Sequence, residues 1–155
     1  MSQSLFDAIR TEETASVISL LEQHPEWIHE KDQRGSTPLL LATYYGFEAI
    51  TQALLEYDQD VNAQDGSGNT ALMGVCFKGY QGIAELLINK GADVNVTNYN
   101  GATALIFAAT FNRVELVKLL LKSGADPEVR DDRGNRALEH AEMQSASAIV
   151  ALLSS

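Results

Sequence analysis

Cys76 is the only cysteine in 155 residues, so no disulfide can form within the chain. Histidine is nearly as scarce, with three copies. Together these leave few ligands for a transition metal and few partners for a nucleophile–base pair. Basic residues are short too: 11 Lys and Arg face 21 Asp and Glu, a formal net charge of −10. So acidic a chain is repelled by phosphate backbones and by anionic lipid headgroups, which argues against nucleic-acid and membrane partners. Apolar runs are only a few residues long, too short for a membrane-spanning helix. Residues 1–10 lack a basic start and a long apolar stretch, so no secretory signal is visible and a cytoplasmic location is expected. The length fits one ordinary domain.

What the sequence does have is a period. Gly35, Gly68, Gly101 and Gly134 are spaced by 33 residues, as are Leu39, Leu72, Leu105 and Leu138. Thr37, Thr70, Thr103 and Arg136 stand two before those leucines, and Asp32, Asp65, Asn98 and Asp131 three before those glycines. A second leucine series runs Leu21, Leu54, Leu87, Leu120, Leu153. Thr37 followed by Pro38 reads as a helix start, because the hydroxyl caps free N–H groups and proline has none to waste. Leu39 to Ala42 continue that helix and Gly46 stops it. A second helix opens near Phe47, with Ile50, Ala53, Leu54 and Leu55 at helical spacing. A polar stretch over 58–62 and a turn over 65–68 complete the unit. Helices this short are unstable alone and must stack on their neighbours.

Gly35-Ser36-Thr37-Pro38-Leu39, Gly91-Ala92-Asp93-Val94-Asn95 and the run from Val117 to Asp126 resemble the ankyrin repeat, across essentially the whole chain. The resemblance implies an all-α fold: a solenoid of stacked helix–turn–helix units with projecting β-turn finger loops. It divides the single domain into an N-terminal cap (1–31), full repeats (32–64, 65–97, 98–130) and a C-terminal cap (131–155). The family's usual histidine after Thr-Pro-Leu is replaced by Leu40, Met73, Ile106 and Glu139, so apolar packing must stand in for Thr–His bonding. Arg136 in place of a capping threonine predicts a helix start weaker by about 1 kcal/mol, unless Asn135 or Asp132 takes over the cap. With Ser145 where glycine would end that helix, a frayed terminal unit is expected.

In the family fold, the first helices and fingers line a concave face, and partner residues occupy non-consensus positions. Carried over, the exposed first-helix slots include Thr11, Glu12, Tyr44, Tyr45, Phe77, Lys78, Thr110, Phe111 and Met143, and the finger slots include Arg34, Tyr99 and Arg133. Five of the eleven aromatics fall in these slots. Aromatics and arginine are the types enriched at binding hot spots. The resemblance therefore implies a protein-binding set of Arg34, Tyr44, Tyr45, Phe77, Lys78, Tyr99, Thr110 and Phe111. The plainer alternative is that some of these rings tuck against a neighbouring helix. Phe47 and Tyr80 are expected to pack between repeats, and Trp27 and Ile28 to close the N-terminal cap.

No chemistry competes with this reading. Cys76, between Val75 and Phe77, reads as a small buried thiol. His24 and His29 lack a third ligand at metal spacing, and His140 beside Glu139 and Glu142 reads as part of a solvated cap helix. The second-helix acids Glu48, Glu56, Glu85 and Glu115 read as a solvated outer face. No catalytic, cofactor or metal residues are assigned, and the unbroken period leaves no room for an active-site loop. The expectation is a monomeric, non-catalytic module that binds an unidentified protein partner, with no small-molecule substrate. The alternative is a stoichiometric inhibitor or regulator of a partner enzyme; a nucleic-acid binder or an enzyme ranks below both. One size swap stands out: Leu41, Gly74 and Phe107 are equivalent, which predicts that the Phe107 ring fills the space left at Gly74.

Overall fold

The structure, a computed structural model, describes residues 2–155. Among the described residues there are ten α-helices, one 3-10 turn and no strand. The inner row is α1 (Gln3–Arg10), α3 (Pro38–Tyr45), α5 (Ala71–Lys78), α7 (Ala104–Thr110) and α9 (Ala137–Met143). The outer row is α2 (Thr14–Gln23), α4 (Glu48–Leu54), α6 (Gln81–Asn89), α8 (Val114–Lys122) and α10 (Ser147–Ser154). Each helix packs on its hairpin partner and on its equivalents in the adjacent units.

The repeated residues each close a local structure. The hydroxyls of Thr37, Thr70 and Thr103 accept the N–H groups of Leu40 (3.2 Å), Met73 (3.3 Å) and Ile106 (3.2 Å). Each thus satisfies one of the free donors at an inner-helix start. Gly46 and Gly79 end α3 and α5 in the left-handed region, with φ of 78° and 86°. Asn112 (φ 58°), Ser145 (φ 55°) and Glu12 (φ 55°) make the same turn without a glycine. The last inner helix is therefore stopped as sharply as the others.

Its start is also better held than the sequence predicts. Neither Asn135 nor Asp132 caps α9. Instead the Glu139 carboxylate accepts the Arg136 backbone N–H at 2.8 Å and the Arg136 guanidinium at 2.6 Å. Arg136 also reaches Glu128 at 3.1 Å. A carboxylate one turn into the helix bonds back to the residue before it, the reciprocal half of a capping box, which holds the start by a different donor from the one a threonine would cap.

The first unit is one residue out of step. Glu12 precedes Gly46 by 34 residues and α2 starts 34 before α4. The link after α2 is rebuilt as the 3-10 turn Pro25–His29, which takes up the added residue. The first inner-helix slots therefore fall on Arg10 and Thr11, not on Thr11 and Glu12. Ile28 of that link is buried, and Trp27 stacks on His24 at 4.1 Å between ring centroids.

Burial follows the period. Leu39, Leu72 and Leu105 are buried, as are Leu21, Leu54, Leu87 and Leu120, while Leu138 and Leu153 of the last described unit are half-buried. Each buried leucine contributes about 1.5–3 kcal/mol. Leu40, Met73 and Ile106, at the family's histidine position, are buried, so packing does replace that polar contact. Phe47 and Tyr80 are half-buried against the core, as expected. Glu48, Glu56, Glu85 and Glu115 are exposed.

Candidate protein-binding groove

The fingers are rigid because one side chain organises each. Oδ1 of Asp32 accepts the N–H groups of Arg34 and Ser36, both at 2.9 Å. Asp65, Asn98 and Asp131 repeat the arrangement with the residues two and four further on. Neighbouring fingers are then joined by backbone bonds, Tyr99 N–H to Ser67 O at 3.2 Å and Asp132 N–H to Asn100 O at 3.0 Å. On the loops after the outer helices, Asn62 accepts the Asp93 N–H and Asn95 the Asp126 N–H, each at 2.8 Å. Side chains carried on this scaffold lose little further freedom when a partner arrives.

Between the fingers and the inner helices lies a groove of about 860 Å³, lined by residues from α1, α3, α5, α7 and the first two fingers. Of the eight predicted residues, Arg34, Tyr44, Tyr45 and Phe77 line it. Tyr44 (45%), Tyr45 (46%), Tyr99 (66%) and Phe111 (41%) are exposed, an unusual display for apolar rings on a chain whose core is otherwise closed. Phe77, Lys78 and Thr110 are half-buried. Phe77 meets Phe111 edge to face at 4.7 Å, and Lys78 Nζ lies over the Tyr44 ring. The Thr110 hydroxyl donates to Ile106 O at 2.7 Å. Tyr99 lies against Gly68 and lines a smaller groove of about 370 Å³ with Ile28 and Asn62.

The sequence reading missed part of the groove. Arg10, Leu40, Met73, Gly74 and Phe107 line it as well. The Phe107 reading is corrected: a Cβ placed at Gly74 would meet Tyr44 Cδ1 at 3.8 Å, and Phe107 is not within 4 Å of it. The ring that comes nearest to the Gly74 position is therefore that of Tyr44, from the preceding inner helix.

The remaining reactive groups are structural. Cys76 is buried and burial pushes its thiol up to about 12, so the nucleophilic thiolate is not populated at neutral pH. His140 is not solvated as predicted: its Nε2 lies 2.7 Å from Asp131 Oδ2, which ties α9 to the fourth finger. Among the described residues no group of three or more His, Cys, Asp or Glu is placed to hold a metal, and no helix is long and apolar enough to cross a membrane.

Stacked helical hairpins with organised fingers and an aromatic groove define a repeat solenoid of the interaction type. A family model described as ankyrin repeats (3 copies) matches residues 5–98, another described as ankyrin repeats (many copies) matches residues 86–141, and the chain belongs to the ankyrin-repeat family. Ankyrin repeats are in general protein–protein interaction modules and are typically non-catalytic. A search of curated proteins finds no match.

Proposed function

We propose that the chain is a non-catalytic interaction module that binds a protein partner in the groove between its inner helices and fingers, with 1–31 and 131–155 serving as caps. The observation that supports this is the exposure of Tyr44 and Tyr45, side by side, on the groove wall. Exposed tyrosines on a rigid support supply contact area at low entropic cost. Arg10 and Arg34 bring cations to the groove beside Asp32 and Asp65. Phe111 and Tyr99 extend the face beyond the groove. The module acts as a monomer, without cofactor, in the cytoplasm. Where the partner is an enzyme, occupation of its surface makes the chain a stoichiometric inhibitor or regulator.

Affinity capture with three forms of the chain tests this: wild type, the double variant Tyr44→Ala/Tyr45→Ala, and the outer-face variant Glu85→Lys/Glu115→Lys. The expected result is one set of specific proteins retained by wild type and the outer-face variant and lost with the double variant. Retention by the double variant and loss with the outer-face variant would overturn the groove as the binding face.

A further inference from the structure

The row of fingers carries one residue pair with a chemistry of its own. Of the eight asparagines in the chain, only Asn100 is followed by glycine. A backbone nitrogen can attack the carboxamide of the asparagine before it, and a glycine there has no Cβ to block the approach. The equivalent pairs in the other fingers are Arg34-Gly35, Ser67-Gly68 and Arg133-Gly134, none of which has an amide to lose. Asn100 is exposed, and among the described residues its carboxamide makes no hydrogen bond. Asp65-Gly66 is the nearest analogue, but a carboxylate is a poorer electrophile than an amide. Asp65 Oδ1 is also held by the N–H groups of Ser67 and Asn69, each at 2.9 Å.

The peptide group between Asn100 and Gly101 makes two bonds. Its N–H donates to Asn98 O at 3.0 Å, and its carbonyl accepts the Asp132 N–H at 3.0 Å, which joins the third finger to the fourth. Asn98 Oδ1 accepts the N–H groups of Asn100 and Ala102 and leaves that of Gly101 to the single turn bond. A single bond at an exposed loop tip lies at the low end of local opening free energies. The Asp132 carboxylate is close by: its Oδ1 would lie 2.9 Å from a Cβ built at Gly101.

We propose that Asn100 is a site of spontaneous deamidation, and that its conversion loosens the joint between the third and fourth fingers. The Gly101 nitrogen bonds to the Asn100 side-chain carbonyl carbon, and its hydrogen leaves with the side-chain nitrogen as ammonia. Water then opens the cyclic imide at either carbonyl. One opening gives aspartate. The other gives isoaspartate, in which the main chain runs through the former side chain. Water is the only co-reactant. In the imide the Gly101 nitrogen has no hydrogen, so its bond to Asn98 O is lost. In isoaspartate the carbonyl that received the Asp132 N–H has become a free carboxylate, and the backbone is longer by one carbon. Either product brings a new negative charge next to Asp132, on a chain of net charge −10.

The test holds folded wild-type chain for weeks in mildly alkaline buffer. The chain is then digested and mapped by mass spectrometry, with isoaspartate marked by enzymatic carboxyl methylation. The expected result is amide-to-acid conversion at Asn100 severalfold faster than at any other asparagine, with isoaspartate in the product. Asn100→Gln should show no conversion at that position. Amide exchange at Asp132 should be severalfold faster in the aged chain than in the fresh one. Asn100→Asp, which adds the charge without lengthening the backbone, should speed it less. Conversion in urea-unfolded chain but not in folded chain would show that the turn bond to Asn98 holds the site shut, and would overturn the proposal. Conversion spread evenly over the asparagines would equally remove the Asn100–Gly101 pair from the account. Conversion at Asn100 with Asp132 exchange unchanged would overturn the loosened joint.

Discussion

The ammonium of Lys78 sits 4.6 Å from the centroid of the Tyr44 ring, across the boundary between α5 and α3. A cation over an aromatic face at an exposed site is worth about 0.5–1 kcal/mol. The contact fixes one wall of the groove without a hydrogen bond. In a double-mutant cycle of Lys78→Gln and Tyr44→Leu, read by urea unfolding, a coupling of about 0.5 kcal/mol is expected. Strict additivity would show that the two side chains are only neighbours.

Gly74→Ala should raise stability. The added methyl meets only Tyr44 at van der Waals distance, and glycine in a helix interior costs about 0.5–1 kcal/mol relative to alanine. The urea midpoint should rise accordingly. A fall would mean that the space over Gly74 is filled in solution.

Thr51 on α4 is fully buried and its hydroxyl has no hydrogen-bond partner. Its equivalents in the next units are Ala84 and Val117, both buried. An unsatisfied buried hydroxyl costs about 1–3 kcal/mol, and valine has nearly its shape. Thr51→Val is therefore expected to stabilise the chain by about 1 kcal/mol. A destabilised variant would show that the hydroxyl is satisfied, for instance by the backbone carbonyl one turn earlier.

The C-terminal unit should loosen in acid. Hydrogen bonds from the Arg136 side chain and N–H hold Glu139 well below its ordinary 4.5, at about 2. Burial alone would raise Asp131, but bonds from His140 and from the Asn135 and Arg133 N–H groups outweigh it and leave the carboxyl below its usual range. A carboxyl with a depressed folded value stabilises fully above its unfolded value and loses that contribution as pH falls through the folded one. The urea midpoint of wild type should therefore exceed that of Glu139→Gln above pH 4.5, and the gap should close as pH falls toward about 2. A gap independent of pH would remove the carboxylate from the account.

The fold was legible because each repeated residue performs a local task that its chemistry dictates. A threonine two before a leucine caps a helix, and an aspartate three before a glycine organises a turn. Those tasks need no knowledge of distant contacts. The offset of the first unit was hidden because Leu21 and Leu54 keep the sequence period while the turn after α2 absorbs an extra residue. The Glu139–Arg136 cap was hidden because arginine carries no acceptor, and the bond runs backward from the third helical residue. Asn62 and Asn95 gave a periodic signal, but their bonds cross to the next unit, which spacing alone does not reveal. The size swap at Leu41, Gly74 and Phe107 stood in the sequence, but that Tyr44 and not Phe107 comes nearest to Gly74 did not.

The most direct test of the binding face is amide hydrogen exchange of the chain, free and bound to a protein captured by it. The account predicts new protection in α3, α5 and the fingers around Arg34 and Ser67, with α4, α6 and α8 unchanged. Protection confined to those outer helices, with Tyr44 and Tyr45 still replaceable by alanine at no loss of affinity, would contradict it.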